Sequence, residues 1–187
     1  MKSAILFVSL LCTFCCSLCQ NTKKPTTQDT NFETDKIRNQ QLPNFNYSVK
    51  LPENWITVDT VMGDGLRIKF LIAPQILDSD LPRGNVLISF MNGDNLNYFT
   101  TKNIENLKST TAGIVILERG NLDSCLYGCE WFTYTKEQNG KIREMINYII
   151  PYRGYAYMIT CGVNRGVISK YRLIFDQIAQ SIKVLDK

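Results

Sequence analysis

The sequence has no histidine among its 187 residues. No Ser-His-Asp or Cys-His nucleophilic arrangement can therefore form, and no imidazole can ligate a metal. Carboxylate, lysine and main-chain chemistry stay open. Charge is sparse too: charged residues make up 20%, a little under the usual share, and the formal net charge is +4. Lys2 carries the sole charge in residues 1–19, so removing that stretch leaves +3 (+4 less one). A nucleic-acid groove needs Lys and Arg gathered on one face, and so weak a balance gives no reason to expect a nucleic-acid partner. What the chain does have is apolar side chains, at 44%, over a length of one domain plus short extensions. That is enough for a real core.

The amino terminus reads as an export signal. Lys2 supplies a positive start, Ile5, Leu6, Phe7, Val8, Leu10 and Leu11 form an apolar run, and small and polar residues close it at Ser17-Leu18-Cys19-Gln20. The run is too short for an ordinary membrane-spanning helix. Residues 1–19 are the expected signal peptide, which places the protein in a secreted, periplasmic or outer-envelope location. Two outcomes stand at Cys19. Cleavage behind it puts Ser17 and Cys19 at the small-residue positions. Alternatively, Cys19 is the lipidated first residue of a lipoprotein, although Cys16 and Leu18 depart from the usual preceding Leu and small residue. Membrane contact is expected only if Cys19 is lipidated.

Residues 20–41 form an expected flexible polar linker. Asn21 to Gln28 offers nothing worth burying, and Phe32 and Ile37 stand alone, so the segment cannot offset the entropy of ordering. The folded domain is placed at 42–187. Phe45, Tyr47 and Val49 alternate with polar residues as in a half-buried strand. Ile56 with Val58, Leu66 with Ile68 and Phe70, and Val86 to Met91 give further strands. A short helix fits Tyr98, Ile104 and Leu107. Strands follow at 114–118 and around Trp131, Phe132 and Tyr134. Asn139-Gly140 is a strong hairpin signal into a long strand, 142–150, and Pro151 to Gly154 turns the chain back into 155–161. The last element is a helix with Tyr171, Ile174, Ile178 and Ile182 on one stripe, widened by Leu173 and Phe175. Lys170, Arg172, Asp176 and Gln177 are assigned to its polar surface. Such a helix must lie across one side of the sheet.

In this order, several segments resemble one family: Leu51-Pro52-Glu53-Asn54-Trp55, Trp131-Phe132-Thr133-Tyr134, Gly154 to Thr160, and Tyr171 to Ile178 followed by Ser181-Ile182-Lys183. They resemble the PsbP/Mog1-like group over about residues 43–186. The resemblance implies an α+β fold, an α/β/α sandwich around a central antiparallel sheet with a C-terminal helix packed on it. It also implies an auxiliary or binding role. One branch of the group supports the oxygen-evolving side of photosystem II and another binds the small GTPase Ran. The group supplies no catalytic motif to carry over. The export-type leader departs from the nuclear branch, and its lack of a transit peptide's character departs from the plant branch, so neither specific role is expected here.

Seven cysteines are present, four of them in the leader region at Cys12, Cys15, Cys16 and Cys19. In an exported protein Cys125 and Cys129 are candidates for a local disulfide, the alternative being two reduced structural thiols. Cys161 reads as a buried small hydrophobe. Three domain cysteines fall short of a four-thiolate zinc site, Asp78, Asp80 and Asp94 lack calcium-loop spacing, and no metal or other cofactor is expected. Glu118 and Glu130 could serve sugar chemistry only if they faced each other in a cleft. Tyr152 and Arg153, with Tyr148, Tyr155 and Tyr157 nearby, are the candidate interaction surface, weighed against tyrosines that simply face the core. The expectation is therefore a non-catalytic exported accessory or binding protein with a protein partner of unknown identity. The alternatives are a carboxylate-dependent hydrolase or a carrier of a small apolar ligand.

Overall fold

The computed structural model of the chain describes residues 30–33, 46–53, 55–61, 67–73, 82–91, 95–138 and 140–185. In chain order these form β1 (Thr30–Glu33), β2 (Asn46–Val49), β3 (Ile56–Val61), β4 (Arg67–Ile72), β5 (Arg83–Phe90), α1 (Leu96–Thr110), β6 (Val115–Asn121), β7 (Glu130–Gln138), β8 (Lys141–Tyr152), β9 (Tyr155–Asn164), α2 (Ile168–Gln180) and β10 (Lys183–Leu185). The 1–19 leader, with Cys19, lies outside the described residues, as do Asp78, Asp80 and Asp94. Within the stretch 20–41, Thr30–Glu33 forms β1 by backbone pairing with β2; the rest of that stretch is also outside the described residues.

The main sheet has seven antiparallel strands in the order β3-β4-β5-β9-β8-β7-β6, and a second sheet has the order β1-β2-β10. Consecutive strands β6 to β9 form a meander, as local turns lead one to expect. Gln138 pairs with Lys141 across the Asn-Gly turn. The next turn is tighter than a four-residue count from Pro151 to Gly154 suggests. Tyr152 pairs with Tyr155, and Arg153 and Gly154 hold φ values of 47° and 77°. Positive φ at both central residues is the type I′ geometry, which matches the twist of the flanking strands. The correction is a shift of two residues: Ile150 lies opposite Tyr157, not Tyr155.

Alternation along the strands builds two cores. On one face Ile146, Tyr148 and Ile150 of β8 and Tyr157, Ile159, Cys161 and Val163 of β9 pack with Phe175, Ile178 and Ala179 of α2. Tyr47, Val49 and Val184 bring the small sheet into that core, with the Tyr47 ring edge-on to Tyr157 at 5.8 Å. On the other face Phe132, Tyr134, Met145, Ile149, Ala156 and Met158 pack with Leu107 of α1, flanked by Phe99 and Ile104. Each large side chain so buried contributes about 1.5–3 kcal/mol. The result is helix, sheet and helix in layers.

Both helices are pinned at specific points. The Asn95 side chain accepts the Tyr98 amide at 2.9 Å and caps α1. Arg119 then ties α1 to the sheet, donating to Thr101 Oγ1 (3.0 Å), to the Asn97 carbonyl (3.1 Å) and to Glu130 (2.8 Å). On α2 the stripe of Tyr171, Ile174 and Ile178 faces inward. Leu173 does not widen it: at 68% exposure it points to solvent. It lies two residues, about 200° of helical turn, from the wholly buried Phe175.

Candidate functional site

The candidate residues Cys125, Cys129, Tyr152 and Arg153 meet at one end of the main sheet. The β6–β7 loop is drawn closed at its neck by the Leu122 amide on the Cys129 carbonyl (2.9 Å). Inside it the Cys125 amide bonds the Leu122 carbonyl (3.2 Å) and the Gly128 amide bonds the Cys125 carbonyl (3.1 Å). Gly128 takes φ of 74°, a conformation that would strain a side chain. This folding turns both cysteines into the core beneath α2.

Both cysteines are free and buried in that core. Because Cys129 can donate its S–H to the Cys125 thiolate, the Cys125 thiol is held below its ordinary value, against the opposing effects of burial and the Asp176 charge. The same bond, with burial added, pushes the Cys129 thiol well up. The Glu130 carbonyl, 3.5 Å from the Cys129 sulfur, is another acceptor for that S–H.

Between the cysteines, Tyr127 reaches back to the fold. Its hydroxyl accepts the Val184 amide at 3.3 Å, joining the loop to β10. Its ring stands edge-on to Tyr152 at 4.9 Å, and the Arg153 guanidinium lies 5.2 Å from the Tyr152 ring on the hairpin. Gln180 at the end of α2 donates to Ser124 at 2.6 Å. Leu126, at the loop's outer tip, is 68% exposed. Tyr127 was not foreseen as part of the site, and only its place between the two cysteines hinted at it.

A polar network borders this loop. Tyr148 donates to Asp176 Oδ1 at 2.6 Å, and Arg172 Nε donates to the same oxygen at 2.9 Å. Burial, and then the Asp176 hydrogen bond, push the Tyr148 phenol well above its ordinary value. Arg172 and Asp176, assigned to the outer surface of the helix, are instead half-buried against the sheet. Their i, i+4 spacing signals the pairing with each other, and the contacts with Tyr148 and Trp131 bring them against the sheet.

The other candidates separate. Glu118 pairs with Thr133, on the α2 face of the sheet beside Ile146. Glu130 pairs with Ile149 on the α1 face and is buried against Arg119. The two carboxylates thus lie on opposite faces and form no pair. Cys161 is a free, fully buried thiol whose ionisation burial disfavours. It lies opposite Ile146, four residues along β9 from the Tyr157 that faces Ile150, and so is remote from Cys129. Among the described residues no group of three or more Cys, Asp or Glu side chains is placed to hold a metal ion, and no helix is long and apolar enough to cross a membrane.

No protein-family model matches the chain, and no curated protein matches it. Solved structures do. The cyanobacterial PsbP of Synechocystis is similar with a TM-score of 0.53 at 16% identity, over 74% of this chain and 86% of that one. LpqN, involved in cell envelope biogenesis of Mycobacterium tuberculosis, gives 0.54 at 13%, over 83% and 92%. A protein of unknown function from Pseudomonas aeruginosa gives 0.56 at 10%, over 70% and 99%. At such identities the likeness is one of architecture: this chain has the α+β fold of the PsbP/Mog1-like type, a large antiparallel sheet with a helix on each face.

Proposed function

We propose that the protein is an exported, non-catalytic accessory protein that binds a protein partner through the surface made by Leu126, Tyr127, Tyr152 and Arg153. The observation that carries this is the contact between two separate loops. Tyr127 of one packs on Tyr152 of the other, Arg153 lies over Tyr152, and Leu126 stands 68% exposed beside them. Tyrosine and arginine on a rigid base are the residue types that anchor protein interfaces. The complementary partner surface presents an apolar side chain to Leu126 and a carboxylate to Arg153, in keeping with the net positive charge left after the leader.

The leader and the fold shared with LpqN, a protein involved in cell envelope biogenesis, support a setting outside the cytoplasm. Acyl chains on Cys19 would be the route of any membrane contact. The test is capture from the native source on the chain lacking residues 1–19, run beside Leu126→Asp and Arg153→Ala variants. A partner retained by the parent and lost by both variants is the expected result. A partner held equally by all three would place the interface elsewhere.

A further inference from the structure

We infer that Cys125 and Cys129 are a thiol–disulfide exchange site, whose oxidised form locks Tyr127 onto β10. Both thiols are free and buried in the same cluster beneath α2. The neck bond from Leu122 to Cys129 and the Gly128 turn set the backbone for both. A disulfide of about 2.05 Å would close a turn that these backbone bonds already hold. The three residues inside the ring would be Leu126, Tyr127 and Gly128, and Tyr127 is the one that holds the Val184 amide and the Tyr152 ring. The redox state of the pair thus acts directly on the junction between the main sheet and the β1-β2-β10 sheet. Cys161 takes no part, being remote on β9 and wholly buried.

The exchange runs in two steps. One of the two cysteines gives up its proton and its thiolate attacks a small-molecule or protein disulfide, forming a mixed disulfide and releasing one thiolate of the donor, which takes up a proton. The other cysteine then loses its proton and attacks the sulfur of the first, expelling the second donor thiolate, which takes up that proton. Two protein thiols are oxidised by two electrons, and the donor disulfide is reduced to two thiols that carry the two protons. Both sulfurs are buried, so exchange requires the loop to open at its exposed tip, Leu126 and Gly128.

Trypsin places both cysteines in one peptide, residues 120–136, and Cys161 in another, residues 154–165. The full chain is equilibrated with glutathione disulfide, alkylated under denaturing, non-reducing conditions and digested. The expected result is a 120–136 peptide lighter by two hydrogen atoms and free of alkyl groups, with Cys161 alkylated. A doubly alkylated 120–136 peptide, or Cys161 in a disulfide, would sink the assignment. In Cys129→Ser and in Cys125→Ser the remaining cysteine of the pair is expected to hold glutathione as a mixed disulfide; no adduct in either variant would refute the exchange step. Hydrogen exchange at the Val184 amide is expected to slow several-fold on oxidation, and equal rates in both redox states would refute the lock on β10. None of these readouts involves the proposed partner, so their failure is separate from a failure of the binding surface.

Discussion

The Arg172 guanidinium lies over the Trp131 ring, 3.8 Å from its centroid. The same arginine donates to Asp176, which also accepts from Tyr148. One side chain of α2 therefore holds an aromatic ring of β7 and shares a carboxylate with a phenol of β8. The apolar stripe decides which face of α2 meets the sheet, but apolar contact is non-directional. The Trp131, Arg172, Asp176 and Tyr148 set adds direction, because hydrogen bonds and ring stacking are satisfied at one orientation only.

Replacing Asp176 with alanine leaves the Tyr148 hydroxyl and Arg172 without their shared acceptor. The expected loss is about 1–3 kcal/mol, the usual cost of stranding a buried polar group. Asp176→Asn keeps an acceptor for the phenol and is expected to lose less. Urea unfolding of both variants measures this, and equal losses would mean that the acceptor itself is unimportant.

Ile178 sits at the centre of the inward stripe and is 1% exposed, whereas Leu173 is 68% exposed. Ile178→Ala is expected to cost about 2–5 kcal/mol. Leu173→Ala is expected to stay within about 0.5 kcal/mol. Comparable losses at the two sites would mean that α2 is rotated relative to the orientation described.

That contrast also shows what was legible in the sequence. The stripe of Tyr171, Ile174 and Ile178 recurs at helical spacing, and the Asn139-Gly140 turn announces its hairpin, because both signals are local. Leu173 was misjudged because its hydrophobicity was weighed without its angle on the helix. β1 and β10 went unseen for another reason. Thr30–Glu33 holds a single apolar residue, Phe32, and Lys183–Leu185 is three residues long, so neither shows an alternation, and backbone pairing to β2 defines them. The site was half legible. Cys125 and Cys129 stood out by spacing, and Tyr152 and Arg153 by residue type. The joining of these pairs by Tyr127 depends on contacts with Tyr152 and with Val184, 57 residues away, which no local pattern carries.

Cys161 gives a pH dependence with a definite sign. Burial raises its folded-state value above that of the unfolded chain, so the native thiol keeps its proton where the unfolded one releases it. Its contribution is fully present below the unfolded value of about 8.5 and is lost progressively as pH rises above it. Cys161→Ala is expected to flatten the fall in unfolding free energy between about pH 8.5 and 10 by up to about 1.4 kcal/mol per pH unit. An unchanged slope would mean that the native thiol ionises as freely as the unfolded one.

Gly120 leaves the room that Trp131 occupies beneath Arg172. The two residues are register partners on β6 and β7, and a β-carbon placed on Gly120 would come within 2.7 Å of Trp131 Cζ2. That approach is closer than real β-carbons tolerate, so the indole must move if a methyl is added. The indole nitrogen donates to the Asn121 carbonyl at 3.2 Å, and its face carries the Arg172 guanidinium. Displacing the ring therefore disturbs a hydrogen bond and a cation–π contact together. Gly120→Ala is expected to destabilise the fold by about 1–3 kcal/mol, the range for overpacking a filled site. It is also expected to change the Trp131 fluorescence, read in a Trp55→Phe background because Trp55 is the other indole of the chain. In that background Arg172→Ala is expected to shift the same emission. If Gly120→Ala leaves both stability and Trp131 emission unaltered, the ring does not rest over Gly120, and the stack that orients α2 must be built differently.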